Sequence, residues 1–245
     1  MADCVVLNTR AALEGKRIAT TPETTAFASP PSSPVVGDLW FPNDSVYVER
    51  YTGSAWAPWG PIFPMTPPVN GDFSWVNQGG ATVSASKGGI FLYGPKGSST
   101  NHRCRVKTAP STPYTITAAF LAGVATANYQ EAGLLFRESS TGKMVNFKIV
   151  YPIGVAVAKV TNETTNLANL SYVGLWNTQP LFWRIADNGT NLIFSWSYDG
   201  QNFIEFYSVS RTSHMAGGPN QVGFFVNDES NVVDVGMTLL SWKQA

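Results

Sequence analysis

The chain has 245 residues, a formal net charge of zero and only 13% charged residues, against about 25% in an ordinary soluble domain. Because Lys and Arg are not in excess, the composition argues against a nucleic-acid partner. Hydrophobic residues make up 44% of the chain, which excludes an intrinsically disordered chain. The abundance of Gly, Ser, Thr, Asn and aromatic residues favours strands and tight turns over long exposed helices.

The N-terminal residues lack the apolar core of a signal peptide, and no apolar run approaches the roughly 20 residues of a membrane span. We therefore expect no membrane insertion. The two cysteines, Cys4 and Cys104, lie far apart and match no disulfide framework or metal-binding pair, so both are predicted to be reduced thiols.

Residues 1–36 are predicted to form an N-terminal arm that anchors the protein. The arm could contain a short helix over residues 9–16, with Thr9 as its N-cap, or it could lie extended along a partner. The sequence leaves both alternatives open.

Residues 37–61 concentrate three Trp, two Tyr and one Phe in a short segment. Turn residues at 43–44 and 52–54 predict a small three-stranded β-meander, which is marginally stable by itself. Its aromatic rings need a cover and are predicted to mediate oligomerisation; they belong to Trp40, Tyr47, Tyr51, Trp56 and Trp59. Packing of these rings within a single chain is the alternative. Proline-rich residues 62–70 are predicted to be an extended linker.

Residues 71–245 alternate between apolar strand patterns and turn residues, which predicts an antiparallel β-sandwich. The predicted strands are 114–121, 132–138, 144–151, 155–160, 181–187, 191–199, 202–209, 221–227 and 233–242. Turns are predicted at 140–143, 187–191 and 198–202, the last with the Asp-Gly pair of a tight hairpin.

From Phe182 onward the sequence resembles the second half of a concanavalin A-like (laminin-G-like) jelly roll. The matching positions are Trp183, Asp187, Gly189, Thr190, Ser197, Asp199, Gly200, Phe203, Val222 and Gly223. The resemblance implies a jelly-roll sandwich over about residues 70–245. It implies no single function, because this fold is found in lectins, hydrolases and adhesion modules.

The segment GDLWF…VYVERYTGSAWAPWGP resembles short units near the start of bacteriophage tail-fibre and other virion proteins. That resemblance implies assembly around a threefold axis, with sister copies covering the aromatic rings. It also implies that the N-terminal arm contacts other virion proteins.

Candidate catalytic residues are scarce, so no enzyme activity and no cofactor are predicted. His102 and His214 have no ligand at metal-binding spacing, and nucleophile-elbow, phosphate-loop and paired-carboxylate motifs are absent from the sequence. Four acidic residues are possible calcium ligands, but a structural role in turns is favoured for them: Asp187, Asp199, Asp228 and Asp234.

Tyr172, Trp176 and Asn177 lie in a predicted loop and are the candidate glycan-binding residues, with Trp176 as the stacking ring. Packing of these residues in the core is the alternative. Arg103, Arg105 and Lys107 would share one face of a strand, either as a charged outer face or as a contact for acidic polysaccharide or a neighbouring virion protein.

These features favour a non-enzymatic phage virion protein, assembled in the host cytoplasm. It would be a trimeric tail fibre or receptor-binding protein whose jelly roll contacts host surface polysaccharide. A capsid decoration or head-fibre protein of the same architecture is the first alternative. A carbohydrate-binding module of a glycan-active enzyme is the second.

Overall fold

A computed structural model describes residues 32–40, 47–61, 65–85, 89–124, 129–174, 179–229 and 233–245. The predicted arm up to residue 31 lies outside these residues, as do Trp176 and Asn177; for Trp40, Tyr47 and Trp59 only the backbone is described. The chain divides into two compact units, Met1–Pro64 and Met65–Ala245, and each is considered by itself.

The N-terminal unit contains the predicted meander. Its strands β1 (Leu39–Trp40), β2 (Tyr47–Tyr51) and β3 (Trp56–Pro61) pair antiparallel in that order. Before β1, Gly37 adopts a left-handed φ of 93° and the Asp38 carboxylate accepts a 3.0 Å hydrogen bond from the Val35 amide. This turn directs the chain into the first strand.

The second unit contains fourteen described strands and one 3₁₀ turn, Asn70–Asp72. The strands are β4 (Ser74–Val76), β5 (Thr82–Ser84), β6 (Ile90–Gly94), β7 (Arg103–Thr108), β8 (Tyr114–Gly123), β9 (Glu131–Arg137), β10 (Met144–Val150), β11 (Gly154–Asn162), β12 (Thr165–Val173), β13 (Phe182–Asp187), β14 (Asn191–Ser197), β15 (Ile204–Ser210), β16 (Gln221–Asn227) and β17 (Val235–Gln244). Within the described ranges, no helix has the length and apolar character needed to cross a membrane.

Two seven-stranded antiparallel sheets form a sandwich. The front sheet has the order β12-β11-β10-β9-β16-β7-β4, and the back sheet has the order β15-β14-β13-β8-β17-β6-β5. Their inner faces enclose a core whose largest fully buried side chains include Phe120, Phe147, Trp183, Phe194 and Phe224. Each such ring stabilises the fold by about 1.5–3 kcal/mol through burial. The predicted antiparallel sandwich is confirmed.

All nine predicted strands are present, with ends that differ by a few residues. The three predicted turns are also confirmed, since Gly142, Gly189 and Gly200 all have positive φ. In the last of them the Asp199 carboxylate accepts hydrogen bonds from the amides of Gln201 (2.9 Å) and Asn202 (2.8 Å), the turn role predicted for it.

The segment before Trp176 was predicted to be a loop. In the structure it forms the nine-residue edge strand β12. Most of its residues are exposed, so it lacks the apolar alternation that marks a half-buried strand. The three-residue strands β4 and β5 were not predicted either, because they are too short to show a period.

Arg103, Arg105 and Lys107 do not form a charged outer face, and this interpretation was wrong. Arg105 is the ladder partner of Phe224, which is in the core, so all three side chains lie on the inner side of the front sheet, near its β4 edge. The Arg105 guanidinium stacks on Trp75 at 4.9 Å and donates two 2.8 Å hydrogen bonds to Asn70.

Two glycines on the outer face of the front sheet mark close backbone approaches, beside the buried apolar side chains of Phe225 and Leu135. A Cβ atom on Gly133 would collide with the Phe147 carbonyl oxygen, and one on Gly223 would collide with that of Arg105. Glycine within a strand typically marks such a close backbone approach. Lys148, which is opposite Gly133, belongs to the candidate site.

Candidate functional site: a cleft on the outer face of the front sheet

A cleft of about 200 Å³ opens on the outer face of the front sheet. Its lining includes Glu131 at the start of β9, Lys148 and Val150 on β10, Ala158 on β11 and residues 166–169 of the edge strand β12. Tyr129 and Glu229, from the segments flanking β9 and β16, also line it. The cleft thus brings together side chains from distant parts of the sequence.

The alternation of β10 places charge on the outer face. In MVNFKIV, Val145 and Phe147 enter the core, so Asn146 and Lys148 lie on the opposite face. Lys148 is opposite Gly133, and Val150 is opposite Glu131. The missing side chain at position 133 leaves room for the Lys148 ammonium to reach the Glu131 carboxylate.

Glu131 is buried, yet it is held in its ionised form. Its Oε1 atom accepts a hydrogen bond from Lys148 Nζ, and its Oε2 atom lies 3.3 Å from Asn227 Nδ2 and 3.4 Å from His102 Nε2. Burial opposes ionisation, but the Lys148 charge and the His102 contact together lower the pKa of Glu131 to about 2. A carboxylate held this way is a poor general acid near neutral pH.

Lys148 is buried as deeply, but its ammonium is less completely paired. Among the described residues, Glu131 is its single hydrogen-bond partner, while an ammonium group carries three donors. The remaining donors belong to a residue that lines the cleft. Buried donors favour a partner, so a bound molecule with acceptor oxygens would gain these hydrogen bonds.

A network of amides fixes the second acidic residue. Glu229 accepts hydrogen bonds from Asn227 Nδ2 (2.6 Å), Asn166 Nδ2 (3.1 Å) and Thr100 Oγ1 (2.8 Å). Asn227 in turn accepts a 2.7 Å hydrogen bond from the Asn101 amide. Both acidic residues of the cleft therefore have fixed geometry.

Backbone strain is concentrated at this cleft. The described non-glycine residues with positive φ are Asn77, Tyr129 and Glu229, with φ of 55°, 60° and 44°. Two of these three line the cleft. Each such conformation costs about 1–3 kcal/mol and tends to persist at functional sites.

His102 closes one side of the outer face. Its backbone amide donates to the Glu163 carbonyl oxygen at 2.7 Å, and its Nδ1 atom lies 3.1 Å from that oxygen. The Glu163 carboxylate is held by Arg137 at 2.7 Å. No partner for His102 could be predicted from the sequence, because only the folded sheet brings Glu131 and Glu163 close to it.

Asn146 is a further buried polar group on this face. Its side chain is fully buried, and neither amide atom has a hydrogen-bond partner within the described residues. Its ladder partner is Ala158, which lines the cleft. Because an unpaired buried amide is costly, Asn146 adds to the number of unsatisfied polar groups beside the cleft.

Of the predicted glycan-binding residues, the structure describes Tyr172. It is 69% exposed, lies on β12 opposite Ala156, and shares a row across the sheet with Lys148. It is therefore on the same face as the cleft, although it does not line it. The predictions for Trp176 and Asn177 fall outside the described residues.

Of the predicted oligomerisation residues, the side chains of Tyr51 and Trp56 are described. Both are half-buried, and their ring centroids lie 5.4 Å apart. The Tyr51 hydroxyl donates a 3.0 Å hydrogen bond to the Gly53 carbonyl oxygen. Whether sister chains cover these rings stays a prediction.

The acidic residues considered for calcium have other roles. Asp187 pairs with Arg211 at 2.8 Å, and Asp234 accepts a 2.9 Å hydrogen bond from the Lys96 amide. Asp228 is buried, which raises its pKa. Across the described part of the chain, no three His, Cys, Asp or Glu side chains are grouped as a metal ion would require.

Sequence reasoning missed Glu131, Lys148 and Tyr129. One signal was present: a Lys in the middle of the apolar strand MVNFKIV has to be paired, since an unpaired charge is rarely buried. No sequence signal identified Glu131 as its partner.

No protein-family model matches the sequence, and a search of curated proteins found no match. Solved structures do share its fold. The GH43 protein BlXynB from Bacillus licheniformis aligns over 84% of this chain and 45% of its own, with 14% identity and a TM-score of 0.55. A protein of unknown function from Saccharomyces cerevisiae aligns over 73% of this chain and 98% of its own, with 14% identity and a TM-score of 0.55.

A xylan β-1,4-xylosidase from Bacillus halodurans aligns over 73% of this chain and 37% of its own, with 9% identity and a TM-score of 0.53. The chain therefore spans less than half the length of the two Bacillus proteins. At these identities the likeness concerns the fold alone. The second unit is an antiparallel jelly-roll β-sandwich, with a polar cleft on its front sheet.

Proposed function

We propose that the protein is a non-enzymatic glycan-binding protein of a phage virion, and that its sandwich binds sugar in the front-sheet cleft. The observation that carries the binding proposal is Lys148, a buried ammonium with one hydrogen-bond partner among the described residues, in a cleft flanked by two strained residues. Exposed Tyr129 and Tyr172 lie on the same side and offer apolar ring faces to a sugar.

The proposal of a non-enzymatic role rests on the state of the cleft's acids. Hydrolysis of a glycosidic bond generally needs one carboxylic acid that donates a proton and a second carboxylate. Glu131 is paired with Lys148 and held ionised, while Glu229 accepts hydrogen bonds from three neighbouring side chains. Neither acid is placed as a proton donor.

The virion assignment is supported by the resemblance of residues 37–61 to tail-fibre units. In this proposal the meander trimerises, the N-terminal arm binds other virion proteins and the sandwich contacts host surface polysaccharide. The half-buried rings of Tyr51 and Trp56 leave apolar surface for a sister chain to cover. The protein would be assembled in the host cytoplasm and would be part of the virion, as a tail fibre or receptor-binding protein.

A glycan array probed with the full chain tests the binding proposal. We expect bound glycans, a signal that Asn169→Ala and Tyr172→Ala reduce, and no change from Tyr198→Ala. Tyr198 is a matched control, because it is an exposed tyrosine in the turn after β14. A blank array, or one equally affected by all three variants, would refute glycan binding in the cleft.

Light scattering coupled to size exclusion tests the assembly. A trimer is expected, three times the 26.5 kDa of one chain. Trimers without glycan affinity would instead favour the capsid decoration or head-fibre alternative.

The second candidate function is a carbohydrate-binding module of a glycan-active enzyme. It is favoured by the likeness of the sandwich to a portion of BlXynB, which is described as a GH43 protein. A glycan-binding monomer would support this candidate over the virion assignment.

A further inference from the structure

The chemistry of the cleft also selects among glycans. This inference rests on the proposed glycan-binding function. We infer that the cleft binds a single uncharged sugar residue at the end of a glycan, and that it discriminates against uronic acids. Three features carry this inference: the volume of the cleft, the pairing of Glu131 with Lys148, and the second acid, Glu229.

The volume limits the ligand to one sugar unit. Pockets that hold drug-sized molecules enclose roughly 300–1,000 Å³, whereas this cleft encloses about 200 Å³. At roughly 30 Å³ per water molecule, it holds about six or seven waters, which is near the bulk of one monosaccharide. A longer glycan therefore places a terminal residue in the cleft and continues outside, along the face that carries Tyr172.

The hydrogen-bonding groups favour a hydroxyl over a carboxylate. Lys148 offers donors, and the Glu131 carboxylate beside it offers acceptor lone pairs. A sugar hydroxyl both accepts and donates, so it satisfies the two residues at once. A ligand carboxylate only accepts, so it would bond with Lys148 while facing the Glu131 carboxylate as a like charge.

The lining also carries no net positive charge that would attract an anion. Glu131 and Glu229 are balanced by Lys148 and Lys159, so the formal charge of the lining residues is zero. The Lys148 charge is already neutralised by direct contact with Glu131. A uronic acid would bring a third carboxylate into a partly desolvated cleft, where like charges are costly.

Calorimetric titration of the full chain with matched pairs of methyl glycosides provides the test. Galactoside is compared with galacturonide and glucoside with glucuronide, so that each pair differs in one group. We expect at least one neutral glycoside to bind and its uronide to bind at least about tenfold more weakly. A uronide that binds as well as its neutral partner overturns the inference and leaves glycan binding intact.

A charge variant makes the test independent of which sugar is preferred. Glu229→Gln keeps the shape of the side chain and raises the formal charge of the lining by one. We expect it to narrow the gap between neutral glycoside and uronide by several-fold, without loss of fold as judged by circular dichroism. An unchanged ratio contradicts the inference.

The two proposals fail in different ways. If the array is positive but no monosaccharide binds, the single-residue inference is wrong and the glycan-binding function stands. If the array is blank, the proposed function fails and the inference fails with it.

Discussion

Two buried carboxylates, Asp187 at the end of β13 and Glu131 at the start of β9, have different surroundings. Asp187 accepts a 2.8 Å hydrogen bond from Arg211 Nε and a 2.9 Å hydrogen bond from the Gly189 amide. Arg211 also donates hydrogen bonds to two backbone carbonyl oxygens. Glu131 is paired with Lys148, whose further donors have no partner in the described residues.

The difference distinguishes a structural ion pair from a binding one. The Asp187 pair is completed by the turn and loop that it joins, so it needs no further molecule. The Glu131 pair lies in a cleft between strands, and within the described part of the chain the Lys148 ammonium has donors without a partner. Incomplete pairing of a buried charge therefore identifies the site better than burial or charge alone.

The largest expected effect is the loss of Lys148. Lys148→Met leaves Glu131 as an uncompensated buried charge and should lower the free energy of unfolding by about 3–5 kcal/mol. Urea denaturation at pH 7 measures it. The double variant Glu131→Met/Lys148→Met should recover much of the loss, because two apolar side chains need no pairing; equal destabilisation in the single and double variants would contradict this.

The second effect is a dependence of stability on pH. The folded-state pKa of Glu131 is lowered from 4.5 to about 2, so its contribution is present above the unfolded pKa and is lost as pH falls towards 2. At about 1.4 kcal/mol per pKa unit the contribution is about 3 kcal/mol. Denaturation of the native chain and of Glu131→Gln from pH 7 to pH 2 should show a stability difference that shrinks below about pH 4.5.

Asp199 and Glu138 also have lowered pKa values, because hydrogen bonds stabilise their ionised forms. They are present in both proteins, so the difference between the two curves isolates Glu131. A difference that stays constant down to pH 2 would show that Glu131 is not held ionised by its neighbours.

A smaller loss of stability is expected when the Asp187–Arg211 ion pair is broken. Arg211→Met removes a charge-assisted hydrogen bond while the Gly189 amide still bonds Asp187, which should cost about 1.5–3 kcal/mol. Glycan binding should be unchanged, since Arg211 follows β15 of the back sheet and does not line the cleft. A loss of binding in a variant that remains folded at the assay temperature would mean that the two regions are coupled.

The sequence predicted the fold well because the fold depends on local patterns. Nine strands have the period or the apolar run of a half-buried or buried strand, and the turns at Gly142, Gly189 and Gly200 have glycine where positive φ is needed. The edge strand β12 was not predicted, because its mostly exposed residues lack the alternation of apolar and polar side chains that marks a half-buried strand.

The cleft could be predicted only in part, because it depends on register between distant segments. His102, Glu131 and Lys148 come from three separate segments, and only the ladder between β9 and β10 shows which residues meet. Tyr172 was predicted to bind glycan only because it is an aromatic residue in a predicted loop. Tyr129 is recognised by its backbone angle, which the sequence does not reveal.

The smallest expected effect concerns the backbone strain at Tyr129. Replacing this residue tests whether the strained conformation lowers the stability of the protein while it favours sugar binding. Asn tolerates the left-handed conformation better than Tyr does, so Tyr129→Asn should raise the free energy of unfolding by up to about 1 kcal/mol. It should also weaken sugar binding by about threefold to tenfold, because the ring is lost. The matched change Tyr198→Asn, at a residue outside the positive-φ set, should do neither. A Tyr129→Asn variant that is less stable, or that binds sugar as well as the native chain, would show that the strained tyrosine does not serve the cleft.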